Sequence, residues 1–240
     1  MTPKIFCAID TTDMETAARL VACVSPHLGG IKLGMEFFYR NGQDGTRRVL
    51  EQAAENTGFF LDLKLHDIPN TVRGAVKAVA GLQPDFLTVH AGGGKDMIAA
   101  ACDAAKTHAP AMKLLAVTVL THMTPQDLQE TGSGSDPETQ VLRLAETALA
   151  AGADGLVCSP LEIAALRQRF GAAPVLMVPG IRPADSAVLQ DDQSRVMTPE
   201  EAFAAGATHL VIGRPVTQAA DPAAAAEKLA AAILSCTRAA

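Results

Sequence analysis

The stretch Asp62-Leu63-Lys64-Leu65-His66-Asp67-Ile68-Pro69-Asn70-Thr71 brings together more ionisable groups than any other apolar run of the 240-residue sequence. In an extended chain, side chains alternate between two faces, so Leu61, Leu63 and Leu65 share one face and Asp62, Lys64 and His66 the other. A second apolar run repeats the pattern, with Lys32 and Gly34 on one side and Ile31 and Leu33 on the other. Asp10 ends a third run. If these runs lie side by side, Asp10, Lys32, Asp62, Lys64 and Asp67 converge with signs that can alternate. A lysine among carboxylates stays protonated, which suits a general acid better than a Schiff-base nucleophile. Burying such charges is costly unless each is paired. The arrangement is therefore either a reaction centre or a neutralising ion network.

No pair of histidines with metal-ligand spacing accompanies Lys64. His66 and His90, the latter beside Gly92-Gly93-Gly94, read as structural or hydrogen-bonding residues, and His122 falls on a loop. Far along the chain, Val-Pro-Gly-Ile-Arg ends at Arg182 and Ile-Gly-Arg-Pro contains Gly213 and Arg214. Glycine lets backbone amides approach an anion, and the guanidinium fork matches phosphate oxygens. Arg182, Gly213 and Arg214 are therefore the expected phosphate grip.

Eight short aliphatic runs must position these residues: 5–10, 30–35, 59–65, 85–91, 113–120, 155–159, 174–180 and 208–213. Helical segments alternate with them, beginning near Asp13, Asp44, Pro69, Lys95, Pro137, Pro160, Pro199 and Pro222, several with the prolines or acids that suit a first helical turn. Strand-helix alternation implies parallel strands with right-handed crossovers, and eight units without a composition break favour one closed (β/α)8 barrel spanning residues 1–240. An open doubly wound sheet is the alternative, weakened by the lack of Gly-x-Gly-x-x-Gly after the first run. In a barrel the charged residues sit at the strand C-termini, where active sites of this architecture lie, and loops after strands seven and eight commonly hold phosphate. Two long connections, 121–136 and 181–198, read as lids.

The chain has 48% hydrophobic and 19% charged residues, typical of a globular domain. A formal charge of −6 argues against nucleic acid, which needs a broad basic surface. The five cysteines are scattered and read as reduced core residues. No stretch approaches a membrane span, the first ten residues lack a signal-like core, and the expected location is the cytoplasm.

Taken together, these motifs resemble the orotidine 5'-phosphate decarboxylase family over nearly the whole chain. The resemblance rests on Asp62-x-Lys64-x-x-Asp67-Ile68-Pro69-Asn70-Thr71, together with Asp10, Lys32, the Val-Thr-Val-Leu-Thr run ending at Thr121, Arg182, Asp-Asp-Gln at Gln193 and Arg214 in family order. It implies cofactor-free loss of CO2 from C6 of orotidine 5'-monophosphate, with Lys64 as proton donor and Asp62 near the departing carboxylate. Lys32 and Asp10 would contact the ribose, Arg182, Gln193, Gly213 and Arg214 the phosphate, and Thr121 would also bind the substrate. Asp67, Ile68 and Thr71 would reach into a neighbouring subunit's site, implying a homodimer. His122 departs from the serine usual at that position in bacterial relatives.

Overall fold

A computed structural model of the chain describes residues 4–134, 136–183 and 197–238. Eight strands, β1 (Ile5–Ala8), β2 (Gly30–Gly34), β3 (Gly58–Leu65), β4 (Phe86–His90), β5 (Lys113–Val117), β6 (Gly155–Val157), β7 (Val175–Val178) and β8 (His209–Ile212), pair in parallel in chain order, and β8 pairs back to β1. The ring is a closed (β/α)8 barrel. Apart from β3, its strands are shorter than the apolar runs that encode them. The last residues of several runs, Asp10 and Leu120 among them, leave the ladder to form the rim.

The helices are α1 (Met14–Val24), α2 (Met35–Leu50), α3 (Pro69–Val79), α4 (Gly94–His108), α5 (Pro125–Glu130), α6 (Pro137–Ala150), α7 (Ile163–Phe170), α8 (Pro199–Ala205), α9 (Arg214–Thr217) and α10 (Pro222–Arg238). Local chemistry sets many of their starts. Asp13 and Asp136 accept backbone N–H bonds from Thr16 and Thr139, and Thr198 forms a reciprocal capping box with Glu201. Two expectations need correction. Helix α2 begins at Met35 rather than near Asp44, because it starts at once after β2 and is broken at Gly42 (φ 62°), and the Asp44 signal marks the segment after that break. The 121–136 connection is not wholly loop: Thr124 and Asp127 cap α5 within it.

Strand alternation separates two apolar layers. Ile5, Cys7, Ile31, Leu33, Leu61 and Leu63 face the helices, and Leu65 packs against the same cluster. Phe6, Ala8, Phe60, Phe86, Leu115, Met177 and Val211 fill the barrel interior. Phe6, Phe60 and Phe86 meet edge to face with centroids 5.6 to 6.2 Å apart, and the His209 ring lies 5.1 Å from Phe86. Gly30 is required beside them, since a Cβ there would stand 2.3 Å from the Phe6 ring. At this floor, side chains also complete strand hydrogen bonding. Asp85 accepts from Phe59 N–H, Asp154 from Leu114 N–H and Thr208 from Leu176 N–H.

The ladder between β3 and β4 is irregular where the charges begin. Leu61 pairs with Leu87 and the next pairing is Leu65 with Val89, so Asp62, Leu63 and Lys64 stand against Thr88 alone. Lys64 takes up the excess with φ 49°, in the left-handed region that non-glycine residues rarely occupy.

Candidate active site

Four charged side chains meet at the rim above the phenylalanine floor. Lys32 Nζ stands 3.2 Å from Asp10 Oδ1 and 3.6 Å from Asp62 Oδ2, and Lys64 Nζ donates to Asp62 Oδ2 at 2.7 Å. The order Asp10, Lys32, Asp62, Lys64 alternates in sign across the ends of β1, β2 and β3. Gly34 keeps this space open, because a Cβ there would press on Lys32 Nζ at 3.2 Å. The Lys32 and Asp62 side chains are each 11% exposed, against 58% for Asp10, so the inner pair carries the desolvation cost.

Pairing decides the charge state of that inner pair. Burial alone would push the Asp62 carboxyl up, but Lys32 and Lys64, with the hydrogen bonds from Lys64 and Thr88, hold it below the usual carboxylate range. Burial would likewise push Lys32 down, and the charges of Asp62 and Asp10 outweigh it, leaving the ammonium above its ordinary value. Both groups are thus ionised at neutral pH.

These charges form one wall of a cavity of about 300 Å³, within the range of small-molecule sites. Its middle is apolar, with Ala8, Phe60, Val117, Val157, Cys158 and Val211, and Thr121 stands at its edge. Burial raises the Cys158 thiol far above its ordinary value, so this wall offers no thiolate. Arg182, Gly213 and Arg214 complete the lining. Arg182 follows β7, four strands around the ring of eight from β3, so the guanidinium side faces the Lys64 side. Ile181 pairs with Met197 and Arg182 N–H donates to Met197 O at 3.0 Å, which ties together the two ends of the long connection after β7. Gln193 lies outside the described residues.

The structure therefore gathers Asp10, Lys32, Asp62, Lys64, Thr121, Arg182, Gly213 and Arg214 around one cavity. Asp67, Ile68 and Thr71 do not join them within the chain. They are exposed at the start of α3, and Asp67 Oδ1 accepts from the Ile68 N–H. The convergence expected of Asp67 fails within the chain because β3 ends at Leu65, which ends the alternation that would have aimed it inward. His66 and His90 do pair structurally, with rings stacked 5.0 Å apart, and burial with neighbouring His66 and Lys64 lowers the His90 pKa. Among the described residues no group of three or more His, Cys, Asp or Glu could hold a metal ion.

Sequence reasoning overlooked Thr88. It is fully buried, its Oγ1 accepts the Lys64 N–H at 2.8 Å, and its hydroxyl donates to Asp62 Oδ1 at 2.9 Å. The available signal was a threonine at an inward position of β4, two residues from both Phe86 and His90 and flanked by the aliphatic Leu87 and Val89.

Comparison with known proteins places the chain in a family. The model of the Orotidine 5'-phosphate decarboxylase / HUMPS family matches residues 3–229. An orotidine 5'-phosphate decarboxylase of Thermobifida fusca is 50% identical over 231 residues, 96% of each chain. One from Gluconobacter oxydans is 48% identical over 94% of this chain and 95% of its own. The crystal structure of orotidine 5'-phosphate decarboxylase from Lactobacillus acidophilus superposes with a TM-score of 0.81 at 40% identity, covering 95% of this chain and 97% of that one. A match that runs nearly end to end and spans all eight strands makes the chain a member of the orotidine 5'-phosphate decarboxylase / HUMPS family.

Proposed function

We propose that this chain is a cytoplasmic enzyme that decarboxylates orotidine 5'-monophosphate to UMP and CO2 without a cofactor, in pyrimidine nucleotide biosynthesis. The observation that carries the reading is the Lys64–Asp62 pair, 2.7 Å apart in a small apolar-walled cavity, with two arginines across it. Such a cavity fits a ligand with an anion at one end and a reacting carbon at the other. The nucleotides of the relatives' named reaction have that form.

In this reading the C6–carboxylate bond breaks, the electron pair stays at C6, and CO2 departs. Lys64 then delivers a proton from its ammonium to C6 and is reprotonated from solvent. The ammonium also stabilises the charge growing at C6 before the proton moves. Asp62 stands beside the leaving carboxylate and holds Lys64, while Lys32 and Asp10 bind ribose hydroxyls and keep the charges in order. Thr121 borders the pyrimidine. Arg182, Gln193, Arg214 and the Gly213 backbone bind the phosphate, and binding energy from that remote group is expressed in the transition state by closing the site. Enzymes at the upper end of rate enhancement lower barriers by about 20 kcal/mol, beyond what one ion pair supplies, so these parts act jointly.

Asp67, Ile68 and Thr71 serve a second copy of the chain in a homodimer. Ile68 is a large apolar side chain left 67% exposed at the rim, and Tyr39 on α2 is 73% exposed, which supports burial against a partner.

Orotidylate consumption followed spectroscopically in the presence of EDTA tests substrate, reaction and cofactor independence together. Turnover that survives chelation is expected. Tight UMP binding with no loss of CO2 would reduce the chain to a nucleotide-binding barrel, and activity lost on chelation would point to metal-assisted sugar-phosphate chemistry.

A further inference from the structure

Thr88 does something that the other side chains completing strand hydrogen bonds do not. Asp85, Asp154 and Thr208 also capture strand amides, but at the floor, away from the cavity charges. Thr88 joins two residues of the charged array. We propose that Thr88 is a positioning residue for decarboxylation, holding Lys64 at its backbone and Asp62 at its carboxylate so that the ammonium is presented to the cavity in one orientation. The proposal rests on the function proposed above.

The backbone comes first. Because Asp62, Leu63 and Lys64 bulge against a single residue of β4, the Lys64 N–H falls out of the regular ladder. A buried amide without a partner is costly, and the left-handed φ of 49° adds strain. The Thr88 Oγ1 takes that N–H at 2.8 Å and so stabilises the one backbone shape from which Lys64 enters the cavity.

The carboxylate follows from hydroxyl arithmetic. A threonine hydroxyl has a single proton and two acceptor sites. Having accepted the Lys64 amide, it uses its proton toward Asp62 Oδ1, 2.9 Å away. Asp62 must then act as an acceptor, which favours its ionised form. With Oδ1 taken by Thr88, Oδ2 is turned to Lys64 Nζ at 2.7 Å and to Lys32 Nζ at 3.6 Å. Thr88 thereby holds both ends of Lys64, the amide directly and the ammonium through Asp62. A threonine of lost hydroxyl but equal shape, valine, would leave Asp62 Oδ1 and the Lys64 amide without these partners and remove nothing that reaches the ligand.

Thr88→Val and Thr88→Ser are the test, with steady-state decarboxylation, UMP binding by calorimetry, and a crystal structure of each. For Thr88→Val, kcat should fall roughly tenfold to a hundredfold, the loss expected of a slightly misplaced reacting group, while UMP affinity stays near wild type. The acid limb of its kcat profile should move to higher pH, since Asp62 protonates more readily without the Thr88 donor. Thr88→Ser, which keeps the hydroxyl, should restore most of kcat. A Thr88→Val enzyme with kcat within a factor of about two of wild type, or a loss that serine does not repair, overturns the proposal. The crystal structure decides independently of turnover. Asp62 and Lys64 side chains unmoved to within about 0.5 Å in Thr88→Val reject positioning. A wild-type enzyme inactive on orotidylate defeats the proposed function, and the Thr88→Val coordinates still decide the role of Thr88.

Discussion

The floor and the rim of this barrel are built from the same strands but on contrary principles. At the floor, β1, β3 and β4 contribute Phe6, Phe60 and Phe86, three rings meeting edge to face with His209 beside them. Two residues further along the same face, β3 places Asp62 and β4 places Thr88, and β1 runs out to Asp10. The floor gains stability by removing apolar surface from water. The rim buries ionised groups whose pairing only offsets lost hydration. One end of the cylinder therefore holds it shut, and the other spends stability on a preorganised electrostatic site. Substitutions at the rim should act on turnover, and those at the floor on the folding equilibrium.

The sharpest way to break that division is Lys64→Ala. It should lower kcat by at least about 10³-fold, the scale of a lost general acid, while UMP binding stays measurable by calorimetry. Near-normal kcat would dismiss Lys64 as proton donor and leave the rim an ion network. Arg214→Ala should raise KM strongly and lower kcat as well, together roughly a hundredfold in kcat/KM, because phosphate binding energy is no longer used to close the site. A substrate without phosphate should show almost no difference between this variant and wild type. Equal processing of phosphorylated and unphosphorylated substrate by wild type would end the clamp role.

At the floor, Phe6→Ala should cost about 3–5 kcal/mol of stability, read by denaturant unfolding, with kcat per folded molecule nearly intact. A large kcat loss at unchanged stability would erase the contrast between the two ends.

The smallest effect concerns pH. Burial, with Lys4 and Lys113 nearby, lowers the His209 pKa from 6.5 to about 4. Its folded pKa lies below the unfolded one, so the stability associated with the neutral ring is full above pH 6.5 and drains away as pH falls toward 4, by about 3 kcal/mol at most. His209→Leu should flatten the unfolding free energy across that window. Asp62 also has a depressed pKa, so its contribution is present above the ordinary carboxylate range and is lost only at more acid pH, as pH falls through its folded value. The two ends thus titrate in separate windows, and a His209→Leu variant with an unchanged acid slope between pH 6.5 and 4 would contradict this assignment.

The eight-fold alternation and the two faces of β3 were legible along the chain, because side-chain direction in a strand repeats every two residues whatever the strand pairs with. Lys32, Asp62 and Lys64 could be placed on one wall by that rule, and the cost of burying charge made them the natural centre. The rule stopped working where the backbone stopped being regular. Asp67, Ile68 and Thr71 lie beyond the end of β3, exposed and outside the lining of their own chain's cavity. Helix α2 was misplaced because Met35 and Phe37 continue an apolar run that reads as strand up to the point where it coils.

By itself, the order of residues determined how many units the chain would form, which faces would be apolar and which charges would share a wall, since all of these follow from local covalent geometry and hydrophobicity. Only the tertiary structure decided that three residues of β3 would stand against one of β4, that Lys64 would take a left-handed backbone, and that Thr88 would join its amide to Asp62. Those outcomes depend on register between segments some two dozen residues apart. Register is set by packing across the whole ring, and no periodicity within one strand encodes it.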